Sequence, residues 1–394
     1  ITQEVTYGLL TFAQRRRLHQ AAAEWYEANE ATDLQATYPL LAHHWMEAEE
    51  SAKAIPYALK AGKQAMNNGA FREAVDHLSE GLRQNRTAGV ISDPVELARW
   101  YYELGIAYRH IGQLEASYSS LTAALDLLDR PLPSSQTQMM IGLLGQVTRP
   151  LLHRSAPGFF DGRAKADGHP LLIAKIYEGL QHIFFYRNET IESVYAILRH
   201  LNLAEEAPPS PQLAEQRARS YAAMVNVAGV AGLHKRADGY IRLLEEALEP
   251  GVNADDRGLA LEYAAIYFAG VGRWEENEAY CLQVAGIAET IGNRRRWQET
   301  ISCLALALYS RGEIERSAGL RKQIKAAAEK DGDRQIQVWG LLEHTEIALL
   351  RGRTAEAQTT LQAAQEFEDA LGLTEQIWLY GLLGLTELRL DNLA

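Results

Sequence analysis

The sequence predicts an all-α chain of stacked helical hairpins, a right-handed α–α superhelix, and three observations predict it. Gly232, Gly272, Gly312 and Gly352 fall 40 residues apart, with Gly292, Gly332 and Gly372 forming a second series displaced by 20. Between them lie stretches such as LALEYAAIYFA, ETISCLALALYS and LLEHTEIALL, whose apolar residues recur at helical spacing. Five residues after each glycine of the first series stands a small or short residue: Ala237, Asn277, Ser317 and Ala357. Each glycine is therefore expected where a helix ends and the chain turns through a left-handed conformation that only Gly adopts without penalty. The small residue lets the second helix of each hairpin approach the first closely.

Taken in order, helices are expected near 8–29, 34–48, 51–67, 71–84, 94–111 and 114–129. Others follow near 136–150, 170–187, 190–204, 211–231 and 235–249, then pairs in the 40-residue register to the end. The early pairs carry the tetratricopeptide signature, W-x2-L-G-x2-Y with a small residue twelve positions after the G. Tyr101, Leu104, Gly105 and Tyr108 match it, followed by Ser117, Leu121 and Ala124; Tyr38, Leu41, Ala42 and Trp45 match it again, followed by Ala54, Ala58 and Ala61. A third unit closes on GAFREA, where Gly69 precedes Ala74 by five residues. No strand-like alternation interrupts the helices. NRTAGVISD, HRSAPGFFDGRAKADGHP and EEAPPSPQ read as loops, the second long for a compact domain. The expected organisation is N-terminal hairpins over 1–130, irregular connecting helices and the long loop over 131–210, and regular 40-residue hairpins over 211–394.

The composition, 47% hydrophobic and 23% charged, is that of a folded globular or repeat chain. A formal charge of −12 gives a field that repels phosphate backbones, so nucleic acid is not an expected partner. No apolar run approaches the roughly 18 residues of a membrane span, and no signal peptide is visible, so a cytoplasmic location without membrane contact is expected. The two cysteines, Cys281 and Cys303, match no metal-ligand or redox spacing and read as small buried residues of a reducing compartment. The chain opens on ITQEVTYGLL, without Met and already amphipathic, and reads as a piece of a longer protein.

No phosphate loop, G-x-G-x-x-G, H-E-x-x-H or G-x-S-x-G is present, and the glycines are used in helix turns. No catalytic residue, cofactor or metal is expected. His43 and His44 beside Trp45 are the tempting pair. Adjacent helix residues point about 100° apart, and no third ligand stands at a supporting i+4 spacing, so both read as satisfied histidines of a packing face. His110 and His234, each alone, read the same way.

Candidate interaction residues are two basic runs in an acidic chain. Arg15, Arg16 and Arg17 suit docking on an upstream domain. Arg294, Arg295 and Arg296, next to Trp297, suit either salt bridges with acidic neighbours such as Glu299 or an anchor for an acidic segment of a partner. Trp274, Trp297, Trp339 and Trp378 lie near helix starts and are expected to fill space between hairpins, with lining of a peptide-binding groove as the alternative.

The run FAQRRRLHQAAAEWYE, followed by YPLLAHHWMEAEESAKAIPYALKAGKQAMNNGAFREAVDHLSEGL, resembles the segment after the nucleoside-triphosphatase domain in large bacterial class III adenylate/guanylate cyclase-like proteins. The resemblance continues through LNLAEEAPPSPQLAEQRA, GRWEENEAY, IGNRRRWQET and DGDRQIQVWG. In that family a cyclase domain, an AAA- or STAND-type ATPase and a long tetratricopeptide region follow one another. The resemblance implies a non-catalytic sensor arm that binds a protein or peptide partner in the superhelix groove and acts on the upstream ATPase and cyclase domains. A pure oligomerisation scaffold of the same parent is the alternative. The family's metal aspartates and phosphate loop match no position of this chain.

Overall fold

The computed structural model describes residues 7–29, 34–155, 169–206, 210–248, 252–331, 334–368 and 371–390. Among these, α-helices follow one another with no β-sheet. In order they are α1 (Phe12–Asn29), a 3₁₀ turn (Leu34–Thr37), α2 (Tyr38–Glu47), α3 (Ser51–Asn67), α4 (Phe71–Ala88), α5 (Pro94–His110) and α6 (Leu114–Leu127). Next come α7 (Gln136–Ser155), α8 (Pro170–Tyr186), α9 (Thr190–Glu206), α10 (Pro211–Val230), α11 (His234–Ala247) and α12 (Ala254–Gly270). The remainder are α13 (Trp274–Ile291), α14 (Arg294–Ser310), α15 (Ile314–Asp331), α16 (Arg334–Leu350), α17 (Thr354–Gln365) and α18 (Leu373–Arg389). By contacts the chain divides into two compact units, Ile1–Leu143 with Lys175–Ala196, and Leu144–Ala174 with Ile197–Ala394, so the segment 131–210 contributes to both.

The hairpin turn is the repeated element. Gly69, Gly112, Gly232, Gly272, Gly312 and Gly352 all have positive φ, from 71° to 87°. The residue after each glycine donates its N–H to a carbonyl five positions back, as in Leu233→Ala228 (2.8 Å), Arg273→Phe268 (2.9 Å), Glu313→Leu308 (2.9 Å) and Arg353→Ala348 (2.8 Å). This wide closure satisfies a helix-end carbonyl that would otherwise lack a partner. Glu49 and Asn188 make the same turn without glycine, at φ 58° and 55°, with Glu50→Trp45 and Glu189→Phe184 closures. The helix bounds read from the sequence, 34–48 with 51–67 and 170–187 with 190–204, break at these two turns although neither carries a glycine.

In the second series, Gly292 is the left-handed cap of α13 at φ 71°. Gly372 departs from the expected left-handed turn: it is the extended N-cap of α18, φ −75° and ψ 173°, a conformation open to any residue. Gly332 lies outside the described residues, as do most of the long loop (156–168) and 207–209 of EEAPPSPQ. Helix α4 runs to Ala88 rather than stopping near 84. It ends where Gly89 turns left-handed, and Asn85 is held by paired bonds to the Ile91 backbone (2.7 and 2.9 Å).

The small residue five positions after the turn sits at the helix crossing. Ala54, Ala74, Ser117, Ala237, Asn277, Ser317 and Ala357 are all fully buried. The polar ones donate to a carbonyl of the preceding helix twelve residues back: Ser117 Oγ to Gly105 (2.7 Å), Asn277 Nδ2 to Ala265 (2.8 Å), Ser317 Oγ to Ala305 (2.7 Å). At Gly105 the approach is close enough that an added Cβ would stand 2.8 Å from Leu121, so the glycine there is a packing requirement. These are tetratricopeptide-like hairpins.

Within the second unit the first helices of successive hairpins also pack on one another, α10 on α12, α12 on α14 and α16 on α18. The pattern of buried and exposed positions along 258–270 recurs residue for residue along 298–310. Both α12 and α14 are flanked by their hairpin partner and by a first helix on either side, which explains why so much of their circumference is buried.

Candidate functional site

Charged groups concentrate where first helices of neighbouring hairpins meet. Between α12 and α14, the buried Arg296 guanidinium donates to Glu262 (2.9 Å) and lies 3.2 Å from Asp255. Thr300 also donates to Glu262 (3.0 Å), and Asn293 to Asp255 (2.8 Å). Burial, with Glu299's charge in support, pushes the Glu262 carboxyl up to about 7, against the opposing pull of Arg296 and Thr300. Between α10 and α12, Arg219 pairs with the buried Asp256. Further along, Arg321 of α15 donates to the Glu343 backbone (2.5 Å) and lies 3.3 Å from the Glu346 carboxylate. Burial pushes Glu343 up to about 7 despite Arg321. Bonds one repeat long continue the seam: Arg295 to Gln335 (2.8 Å) and Gln335 to Glu375 (2.7 Å) each span forty positions.

The basic runs are not uniform patches. Three consecutive helix residues point about 100° apart, so each meets different surroundings. Arg15 donates to Gly8 (3.0 Å) and Leu10 (3.2 Å) backbones and lies over Tyr7. Arg16 donates to Ala48 O (2.8 Å) and pairs with Glu49 (3.3 Å) and Glu50, tying α1 to the turn between α2 and α3. Arg17 is exposed. In the second run Arg294 is exposed, and Arg295 pairs with Glu299 (2.6 Å) beside Trp339. Arg296, only 9% exposed, is engaged with Glu262 and Asp255 and is not at the surface to receive a partner, contrary to a reading of the run as one anchor.

Trp297, Trp339 and Trp378 are half-buried against the apolar clusters of the last hairpins. Each indole N–H donates to a glutamate: Trp297 to Glu289 (3.0 Å), Trp339 to Glu375 (3.2 Å), Trp378 to Glu346 (2.9 Å). Their rings fill space between helices and their polar edges are satisfied, as buried indoles require. Trp274 is half-buried and its ring lies beneath Gly272. Facing outward instead are Ile266 of α12 and Leu306 of α14, 46% and 49% exposed at equivalent repeat positions.

A shallow pocket lies between α11 and α13. Arg273 stacks over Phe268 (4.5 Å) and bonds Asp238 (2.5 Å) and Glu276 (2.9 Å), while Tyr280 donates to Glu245 (2.5 Å). Apart from Arg242, its charged lining residues are thus engaged with one another or with Tyr280. Cys281 is buried and Cys303 half-buried, both thiols close to Asn277 Nδ2 (3.7 and 3.6 Å).

His110 stacks flat on Phe71 (4.0 Å between centroids, 5° between planes), and burial, then Arg109, lowers its pKa to about 4. His234 meets the Tyr267 hydroxyl (3.3 Å). The pair His43 and His44 has a third histidine beside it after all. It comes from α1: His19, 25 positions before His44 and therefore invisible to any spacing rule along α2.

No family model matches the chain, and no curated protein matches it. Among solved structures it is similar to a Signal Transduction ATPase with Numerous Domains (STAND) protein with a tetratricopeptide repeat sensor, from Pyrococcus horikoshii. The TM-score is 0.49 and the identity 14%; the match covers 95% of this chain and 49% of that one, so the chain spans about half the length of that protein.

Proposed function

We propose that this chain is the non-catalytic, protein-binding regulatory arm of a cytoplasmic multidomain signalling protein, whose ATPase and nucleotide-cyclase domains lie upstream in the same polypeptide. The upstream assignment is supported by the sequence words of α1 to α4 and of the later repeats. The binding assignment is supported by one observation above others, the outward apolar pair Ile266 and Leu306 at equivalent positions of adjacent first helices. A helix or extended segment laid across these two hairpins meets one apolar side chain from each, an arrangement suited to holding a peptide on a helical solenoid.

The test is made in the full-length parent, with Ile266→Asp and Leu306→Asp combined. Partner-stimulated ATPase or cyclase turnover is expected to fall while basal turnover holds. Equal loss of both would overturn the sensor reading.

An oligomerisation scaffold is the second reading. Ile377, Tyr380 and Leu388 of α18, between 51% and 66% exposed, favour it. Light scattering on the parent separates the two: a dimer broken by Ile377→Asp with Leu388→Asp, with stimulation intact, is the scaffold's result.

A further inference from the structure

Three imidazoles meet on the first unit where α1 crosses α2. His19 Nδ1 and His44 Nδ1 are 2.8 Å apart, and one ligand atom each from His19, His43 and His44 fits within 4.8 Å of the others. The rings of His19 and His43 lie 5.5 Å apart edge to face, and those of His43 and His44 are 5.4 Å apart. Ligand nitrogens about 2.0–2.1 Å from a tetrahedral zinc stand roughly 3.3 Å from each other. Small ring rotations therefore carry this cluster into ligand geometry: His19 and His44 separate slightly and the exposed His43 closes inward.

The surroundings fit a metal better than an ordinary packing face. The far nitrogen of His19, Nε2, is 2.8 Å from the Tyr7 hydroxyl, the kind of partner that orients a ligating imidazole and fixes its tautomer. The His44 ring is stacked on Tyr26 (5.9 Å, 16°). His19 is 9% exposed and His43 is open to solvent, which gives an ion both a firm floor and a way in. Glu47 follows His43 by one helical turn, and its charge reaches both His19 and His44. The three imidazoles are the protein ligands, and a water completes a four-coordinate set.

We propose that His19, His43 and His44 form a binding site for an imidazole-preferring divalent transition ion of the zinc type, which clamps α1 onto α2. An all-imidazole set favours zinc, copper or nickel over magnesium or calcium, which take oxygen ligands. The clamp has a structural consequence. Along α1 only His19 and Ala23 are buried, so this helix is held to the rest by little apolar contact, and an ion bridging it to α2 would supply what the sparse packing lacks.

The full chain, freed of metal by chelation, is titrated with Zn2+ by calorimetry and with Co2+ by visible absorption. One tight equivalent is expected, with the d–d bands of a four-coordinate cobalt ion and raised hydrogen-exchange protection over 12–29. His19→Gln keeps a side-chain amide toward Tyr7 but cannot ligate at the same place, and the tight equivalent is expected to vanish. Tyr7→Phe retains all three ligands and is expected to weaken zinc by about tenfold, as loss of an orienting partner does. His344→Ala, on the exposed surface of α16, is expected to change nothing. Helical content measured by circular dichroism shows that each variant is folded. The proposal is overturned if the wild-type chain takes up no stoichiometric zinc. It is equally overturned if folded His19→Gln binds as the wild type does, or if the protection gained on binding lies outside α1 and α2.

Discussion

At the scale of single residues, the runs that look alike in sequence part company in the fold. Arg294, Arg295 and Arg296 occupy solvent, a half-buried bridge to Gln335, and a buried pair with Glu262 respectively. Glu262 gives a measurable consequence. Its carboxyl, ordinarily near 4.5, is held up to about 7 chiefly by burial, and Glu343 behaves alike. Between these limits the folded chain holds protons that the unfolded chain has released, so stability from these groups is fully present below about pH 4.5 and is lost as the pH rises through about 7. His110 acts at the acid end with the opposite sign: its lowered pKa, about 4, removes stability as the pH falls from about 6.5 through 4. Glu262→Gln keeps one acceptor oxygen for Arg296, can donate its amide to the Thr300 hydroxyl, and cannot ionise. Urea melts at about pH 5 and pH 7.5 should show a smaller stability difference in the variant than in the wild type, and an unchanged difference would refute the assignment to Glu262.

At the scale of the helical hairpin, a left-handed turn and a small residue five positions later decide the crossing. The seven residues at that place are fully buried, and in three hairpins a hydroxyl or amide there bonds the facing helix. Ala357 shows what the place tolerates. It is packed within the cluster of Leu342, Leu361 and Leu379 and has no room for extra atoms. Ala357→Leu is expected to cost about 1–3 kcal/mol through overpacking, read as a lowered denaturation midpoint. A cost near zero would mean that α16 and α17 can part without loss. The sequence showed this hairpin plainly because both of its signals are short-range. It placed helix breaks at the Glu49 and Asn188 turns but not their left-handed geometry, since a non-glycine residue at φ near +55° leaves no mark in a pattern of glycines.

At the scale of the whole molecule, the hairpins of 211–390 contact their neighbours in turn, and damage there should spread accordingly. Hydrogen exchange of Ala357→Leu should show protection lost over 334–390 and kept in the hairpins around Tyr38 and Tyr101. Uniform loss would make the chain one cooperative globule. What the sequence by itself determined is the all-α class, the helix order and most hairpin turns, because glycine conformation, small-residue spacing and apolar periodicity act within one repeat. What only the tertiary structure decided is which polar residues leave the surface and which meet. Arg296 finds Glu262 across 34 positions, and His19 finds His44 across 25, because one face of each helix is laid against a neighbour. Helical periodicity tells which residues share a face, but the partner on the other side is set by how the hairpins pack, and that packing carries no local mark in the chain.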